Sequence, residues 1–274
     1  MSSPSPNMKL PTMFRTSSLK ASYATGLGYG PAGAGKTRST VTLQQHGFAP
    51  FVIATEPGET SGLLSLGSED IHGVVVTSHE ELIYVVRELK KKPGKIEYQQ
   101  QEFGSVVLDS LTAWGEFPLE RYMQLKGWKD LHDSAAGKDP RGAYGYLAEK
   151  GRQLYKELFS LHGHLWILAR EGLFGGGDEA LFAAPELPGQ KLPREAPGWS
   201  DLTVRLRVVA GKHVLITQGE GGSPGRVRLP RDMPVLPTRC NQDIGALFKF
   251  MLGDKSMYDL LVPDKKPVKV EAAK

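Results

Sequence analysis

Eight consecutive residues constrain this chain more than anything else in it: Gly30-Pro31-Ala32-Gly33-Ala34-Gly35-Lys36-Thr37. They match G-x-x-x-x-G-K-[ST], the Walker A phosphate loop. Glycines let the backbone turn its N–H groups inward around an anion, and the helix N-terminus that follows adds positive potential. In this pattern Lys36 is expected on the β- and γ-phosphates of a nucleoside triphosphate, and Thr37 offers a hydroxyl to Mg²⁺. Such a loop works only between a strand and a helix. Residues 23–29 precede it as a strand, although their two glycines make a poor strand sequence, and residues 36–45 follow as a helix stopped at Gly47.

The rest of the chain alternates in the same way. Residues 51–55, 73–77, 105–108 and 164–169 are short apolar runs of the buried-strand type. Ser78, with Glu81 three positions on, is a capping box that opens an amphipathic helix to about Lys91. Leu147, Leu154, Leu158 and Leu161 form one apolar stripe at helical spacing, closed by Gly163. Residues 172–200 read as a loop with three consecutive glycines and four prolines, and residues 202–209 and 213–217 as a hairpin turning at Ala210-Gly211. Apolar strands separated by helices predict an α/β fold: a mostly parallel sheet with helices on both faces, extended by antiparallel strands in the last third. Residues 1–20 are expected to be a flexible arm, 21–250 the ATPase domain, and 251–274 a C-terminal helix or tail. No apolar run approaches the ~18 residues of a membrane span, and the first residues lack the apolar core of a signal peptide. A single cysteine, Cys240, excludes an intrachain disulfide, so the chain is expected in the cytoplasm.

A triphosphatase also needs a metal-holding acid and a base. Asp109 ends the apolar run 105–108, the form of a Walker B acid, which places a carboxylate beside the metal. The alternative is an Asp that caps the next helix. Ser110 follows, so the paired acids common in AAA+ ATPases are absent; guanine-specificity and ABC-signature motifs are absent too. Glu56 ends the run 51–55 and is expected to deprotonate the attacking water, provided that its strand lies beside the phosphate-loop strand. Glu59 is the fallback, and a plain surface turn before Pro57-Gly58 is the other reading. The histidines suggest no metal site.

Taken together, the Walker A loop, Glu56 and Val106-Val107-Leu108-Asp109-Ser110 resemble the RecA-like ATPase core. More narrowly, residues 20–235 resemble the small phage-encoded RecA-like ATPases of the single-strand-annealing recombinase group. The resemblance implies ATP- and Mg²⁺-dependent binding of single-stranded DNA, assembly into rings or filaments, and a role in phage recombination or annealing. A phage or host single-strand-binding protein is then an expected partner. By position, Arg170 stands where the family carries a γ-phosphate sensor, usually an amide or histidine. Two segments correspond to DNA-contacting loops. One runs from Lys126 and Lys129 to Arg141, with Trp128 and Tyr144 for base stacking, though it also holds Asp130, Asp133 and Asp139. The other spans residues 172–200, with Phe174, Lys191, Arg194 and Trp199. Lys212, Arg226, Arg228 and Arg231 lie where a subunit would present a cation to its neighbour's ATP.

Charge bears on the same question. The chain's net charge is +4, which alone discriminates nothing. Residues 191–231 hold eight basic and three acidic side chains, a surplus of +5 in 41 residues. Either a basic face or a strand-rich segment with solvated charges accounts for it. Two rival functions stay open: a helicase or packaging-type DNA motor, and an ATP-regulated scaffold.

Overall fold

A computed structural model of the chain describes residues 22–56, 71–131, 140–176 and 179–263. The strands in chain order are β1 (Thr25–Gly30), β2 (Pro50–Ala54), β3 (His72–Val75), β4 (Ile96–Tyr98), β5 (Gln101–Phe103) and β6 (Ser105–Asp109). They continue with β7 (His164–Gly176), β8 (Glu179–Pro185), β9 (Leu202–Val209), β10 (Lys212–Ile216), β11 (Arg226–Val227) and β12 (Arg239–Asn241). The main sheet runs β12-β10-β9-β1-β7-β6-β2-β3, with β11 on β9 and β8 on β7. From β9 to β3 every pairing is parallel, and β8, β10, β11 and β12 are antiparallel additions. The predicted α/β architecture is therefore present.

Helices cover both faces because the central strands are apolar on both. Every residue of β2 and β6 is buried. On one face α2 (His79–Leu89) and α5 (Pro140–Leu158) bury Leu82, Val86, Leu147 and Leu154 against Leu27, Ile53 and Leu108. On the other, α1 (Lys36–Gln45) and α7 (Ile244–Met251) bury Leu43, Leu247 and Phe248 against Val52, Val107 and Leu168. Ser78 caps α2 by accepting from the Glu81 N–H at 3.2 Å. Met251 and Leu261 also belong to the second core, so packing continues past residue 250. No helix among the described residues is long and apolar enough to cross a membrane.

The poor strand sequence before the loop has a packing explanation. A Cβ at Gly26 or Gly28 would lie 2.7 or 2.5 Å from the Trp166 ring. The indole lies across β1, and its N–H donates to Ser39 Oγ at 2.9 Å, tying strand β7 to helix α1. Glycine is required there because the partner is a tryptophan. Gly28→Ala is accordingly expected to cost about 2 kcal/mol through overpacking. A urea titration should show a lower midpoint, and an unchanged midpoint would mean the indole moves aside freely.

Two expectations are corrected. Residues 172–200 are not a loop: β7 runs on to Gly176 and pairs with β8, with Phe174 opposite Phe182, and α6 (Lys191–Glu195) follows. Gly175 and Gly176 end β7, and the residues before them pair strand to strand. The second correction concerns β2, which pairs with β6 and β3 and not with β1. The chain inserts β6 and β7 between them, so the strand of Glu56 is not the neighbour of the phosphate-loop strand.

Candidate functional site

The loop between β1 and α1 has the backbone its glycines allow. Gly33 and Gly35 take φ of 74° and 82°, the left-handed region that other side chains avoid. A Cβ on Gly33 would meet nothing within 4 Å, so the loop faces open space there. Lys36 Nζ folds back and donates to the Gly30 and Pro31 carbonyls, each at 2.9 Å.

Asp109 ends β6 and is 4% exposed. Its Oδ2 accepts from Thr37 Oγ1 at 2.9 Å, across 72 residues of sequence. Burial pushes the Asp109 pKa up; the Thr37 hydroxyl and the Lys36 charge pull it down, and the Glu56 charge pushes it up again. Thr37 and Asp109 are thus in contact, and the Lys36 and Glu56 charges both act on Asp109. Asp109 is not the helix cap: Ser110 Oγ accepts from Ala113 N–H at 3.3 Å and caps α3 (Leu111–Trp114). The Asp109–Ser110 peptide is cis. Thr55 Oγ1 donates to Ser110 O at 2.8 Å and accepts from Ser110 N–H at 2.9 Å, which ties the ends of β2 and β6 together. That tie brings Glu56 toward Asp109 although its strand is three places from β1.

This donor set fits Mg²⁺ held together with a nucleotide. Mg²⁺ takes hard oxygen ligands, typically one or two carboxylates plus phosphates, and keeps several waters. Thr37 and Asp109 supply a hydroxyl and a carboxylate in contact. No group of three or more His, Cys, Asp or Glu that could hold a metal occurs among the described residues, so phosphate oxygens would complete the shell.

Other expected site residues lie elsewhere or are engaged. Arg170 sits in register with Gly30, but its side chain pairs with Glu186 at 3.2 Å and β7 continues six residues beyond it. Lys126 ends α4 (Glu116–Lys126), with its ammonium 5.6 Å from the Tyr122 ring centre. Trp128 packs edge-on against Tyr122. Lys129 and Arg141 are exposed, and Arg141 is at the start of α5. Tyr144 packs near Gly189 and Trp199 against Tyr155, both partly buried on the core. Trp128, Tyr144 and Trp199 each pack against another part of the fold. Glu59, Asp133 and Asp139 lie outside the described residues, as do the arm 1–20 and residues 264–274.

The basic surplus of residues 191–231 is largely paired within the fold. Glu171 takes Arg205 through two 2.7 Å bonds and Arg207 at 3.5 Å. Arg228 pairs with Asp201 at 2.9 Å, and Lys191 with Glu195 at 3.6 Å. Arg226 donates to the Pro197, Gly198 and Ser200 carbonyls, the nearest at 2.6 Å. Those bonds hold the Arg226 guanidinium against residues 197–200 of its own chain. Arg194 lies over the Phe182 ring, 5.9 Å from its centre. Lys212 and Arg231 are exposed.

Sequence reasoning missed two residues that touch the loop. His213 Nδ1 lies 3.2 Å from Ala34 O, and Gln242 Nε2 donates to Gly35 O at 2.7 Å. They come from 179 and 207 positions away, and no local pattern marks either.

A phosphate loop on β1, an acid on β6 that meets its threonine, and a parallel sheet with one strand between them define a P-loop ATPase. The model of the family described as an AAA domain matches residues 22–229, and the chain belongs to that family. It does so with Ser110 in place of a second Walker B acid. No curated protein matches the chain.

Proposed function

We propose that this P-loop ATPase acts on single-stranded DNA, in recombination or annealing during phage replication, and works as a ring or filament. Lys36 holds the β- and γ-phosphates. Thr37 and Asp109 would hold Mg²⁺, which would supply positive charge against the phosphates, and Glu56 takes the proton of the attacking water. The observation that carries the reading is the course of β7. It lies between the phosphate-loop strand and the Asp109 strand, then runs without a break into the β7–β8 hairpin. A continuous strand is a stiff link between the nucleotide and an outward surface. Leu173 and Leu181 on that hairpin are 70% and 62% exposed, and Lys191 and Arg194 stand on α6 directly after it.

The internal pairing of Arg205, Arg207, Arg226 and Arg228 favours a second reading, an ATP-regulated scaffold that does not bind DNA. ATP turnover with and without single-stranded DNA separates the two: stimulation supports the DNA reading, and no detectable DNA binding with ATP and Mg²⁺ supports the scaffold. Strand separation in the same mixture would indicate a helicase or motor.

The salt dependence of DNA binding tests the contact surface. Affinity should fall with salt at a log–log slope of about −0.7 per phosphate neutralised. Lys191→Ala with Arg194→Ala should flatten that slope by about one to two units, with ATP binding retained because neither belongs to the phosphate loop. An unchanged slope would move the DNA to another face, with Lys126, Lys129 and Arg141 the next to test.

A further inference from the structure

We infer that His213 and Gln242 are positioning residues that hold the phosphate loop in its anion-ready form; the inference rests on the nucleotide reading above. A trans peptide is planar, so its C=O and N–H point in opposite directions. Turning the Ala34 carbonyl toward His213 therefore aims the Gly35 N–H the other way. The Gly35 carbonyl, held by Gln242 Nε2 at 2.7 Å and by the Ser39 N–H at 3.0 Å, aims the Lys36 N–H in the same manner. These two N–H groups open α1, where an anion would sit.

The two side chains converge on one glycine. A Cβ on Gly35 would lie 2.9 Å from Gln242 Nε2 and 3.0 Å from His213 Nδ1. Because Ala34 O is an acceptor, the His213 Nδ1 carries the proton. Gln242 is fixed from behind by the residues that follow it. Asp243 pairs with His46 at 3.0 Å and caps α7 through the Ala246 N–H at 2.8 Å. Thr42 Oγ1 accepts from the Ile244 N–H at 3.0 Å, and Gly245 leaves room for that approach, since its Cβ would lie 2.2 Å from Thr42 O. Residues 242–245 are thus fastened along α1. Gln242 Oε1 is buried without a hydrogen-bond partner. A buried acceptor left unpaired carries a desolvation cost, which the amide bears in the orientation that donates to the loop.

Titrating the full chain with a fluorescent ATP analogue and Mg²⁺ tests this, together with steady-state turnover. His213→Ala should weaken binding about tenfold, the loss of roughly one net hydrogen bond, with the loss falling on KM and not on kcat. His213→Asn, whose side-chain N–H can reach the same carbonyl, should recover most of the affinity. Gln242→Glu, which sets a carboxylate against Gly35 O, should weaken binding at least as much as Gln242→Ala. Wild-type affinity in His213→Ala overturns the inference. So does equal weakening in His213→Ala and His213→Asn with matching falls in thermal midpoint, which would mark a purely structural role. Lys36→Ala run alongside separates the two levels: if it loses binding while His213→Ala keeps it, only the positioning role fails. If Lys36→Ala binds normally, the nucleotide reading fails and the positioning role with it.

Discussion

Replacing Lys36 with alanine should abolish productive ATP binding and leave the fold standing. The ammonium is the positive side chain of the loop itself, and its bonds here are to the Gly30 and Pro31 carbonyls of that loop. Removing it costs no packed contact in either core. It does remove charge-assisted bonds to phosphate, each worth about 1.5–3 kcal/mol. Affinity should fall by about 10²-fold or more. Calorimetric titration with ATP and Mg²⁺ should show no saturable heat, while circular dichroism and the thermal midpoint stay near wild type. Normal turnover in this variant would remove the phosphate-loop assignment and everything built on it.

Glu56→Gln separates binding from chemistry. The amide has the same shape and cannot take a proton. Nucleotide affinity should hold, and turnover should drop by roughly 10²-fold or more, as loss of a general base does. Asp109 gives a second readout. The Glu56 charge is one of the influences that raise its pKa, so neutralising Glu56 should lower the pH at which Asp109 loses its proton. Full activity in Glu56→Gln would pass the role of base to another carboxylate, Glu59 first.

Much of the fold was legible because it rests on local patterns. The apolar runs that became β2, β6 and β7, the Ser78 cap and the Ala210-Gly211 turn each carry their signal within a few residues. Ala210 and Gly211 take φ of 49° and 76°, as a tight hairpin turn demands. The long Gly/Pro-rich segment was misread because glycine marks both loops and hairpin ends, and only the pairing of Phe174 with Phe182 tells them apart. The basic surplus was legible as a count and not as a surface, because Glu171, which pairs with Arg205 and Arg207, lies outside the stretch that was counted.

By itself the sequence determined the phosphate loop, the acid at the end of an apolar strand, and the parallel α/β class. Each is written in contiguous residues whose chemistry needs no partner to be recognised. The tertiary structure alone decided which strands are neighbours. It set β7 between β1 and β6, and it brought Glu56 to Asp109 through the Thr55–Ser110 tie and not through adjacency to β1. It also decided that β1 must be glycine-rich, because the ring that lies on it is Trp166, far along the chain. His213 and Gln242 reach the loop for the same reason. Contacts between residues nearly two hundred positions apart depend on how the sheet is ordered, and strand order follows from the burial of both faces at once, which no single segment encodes.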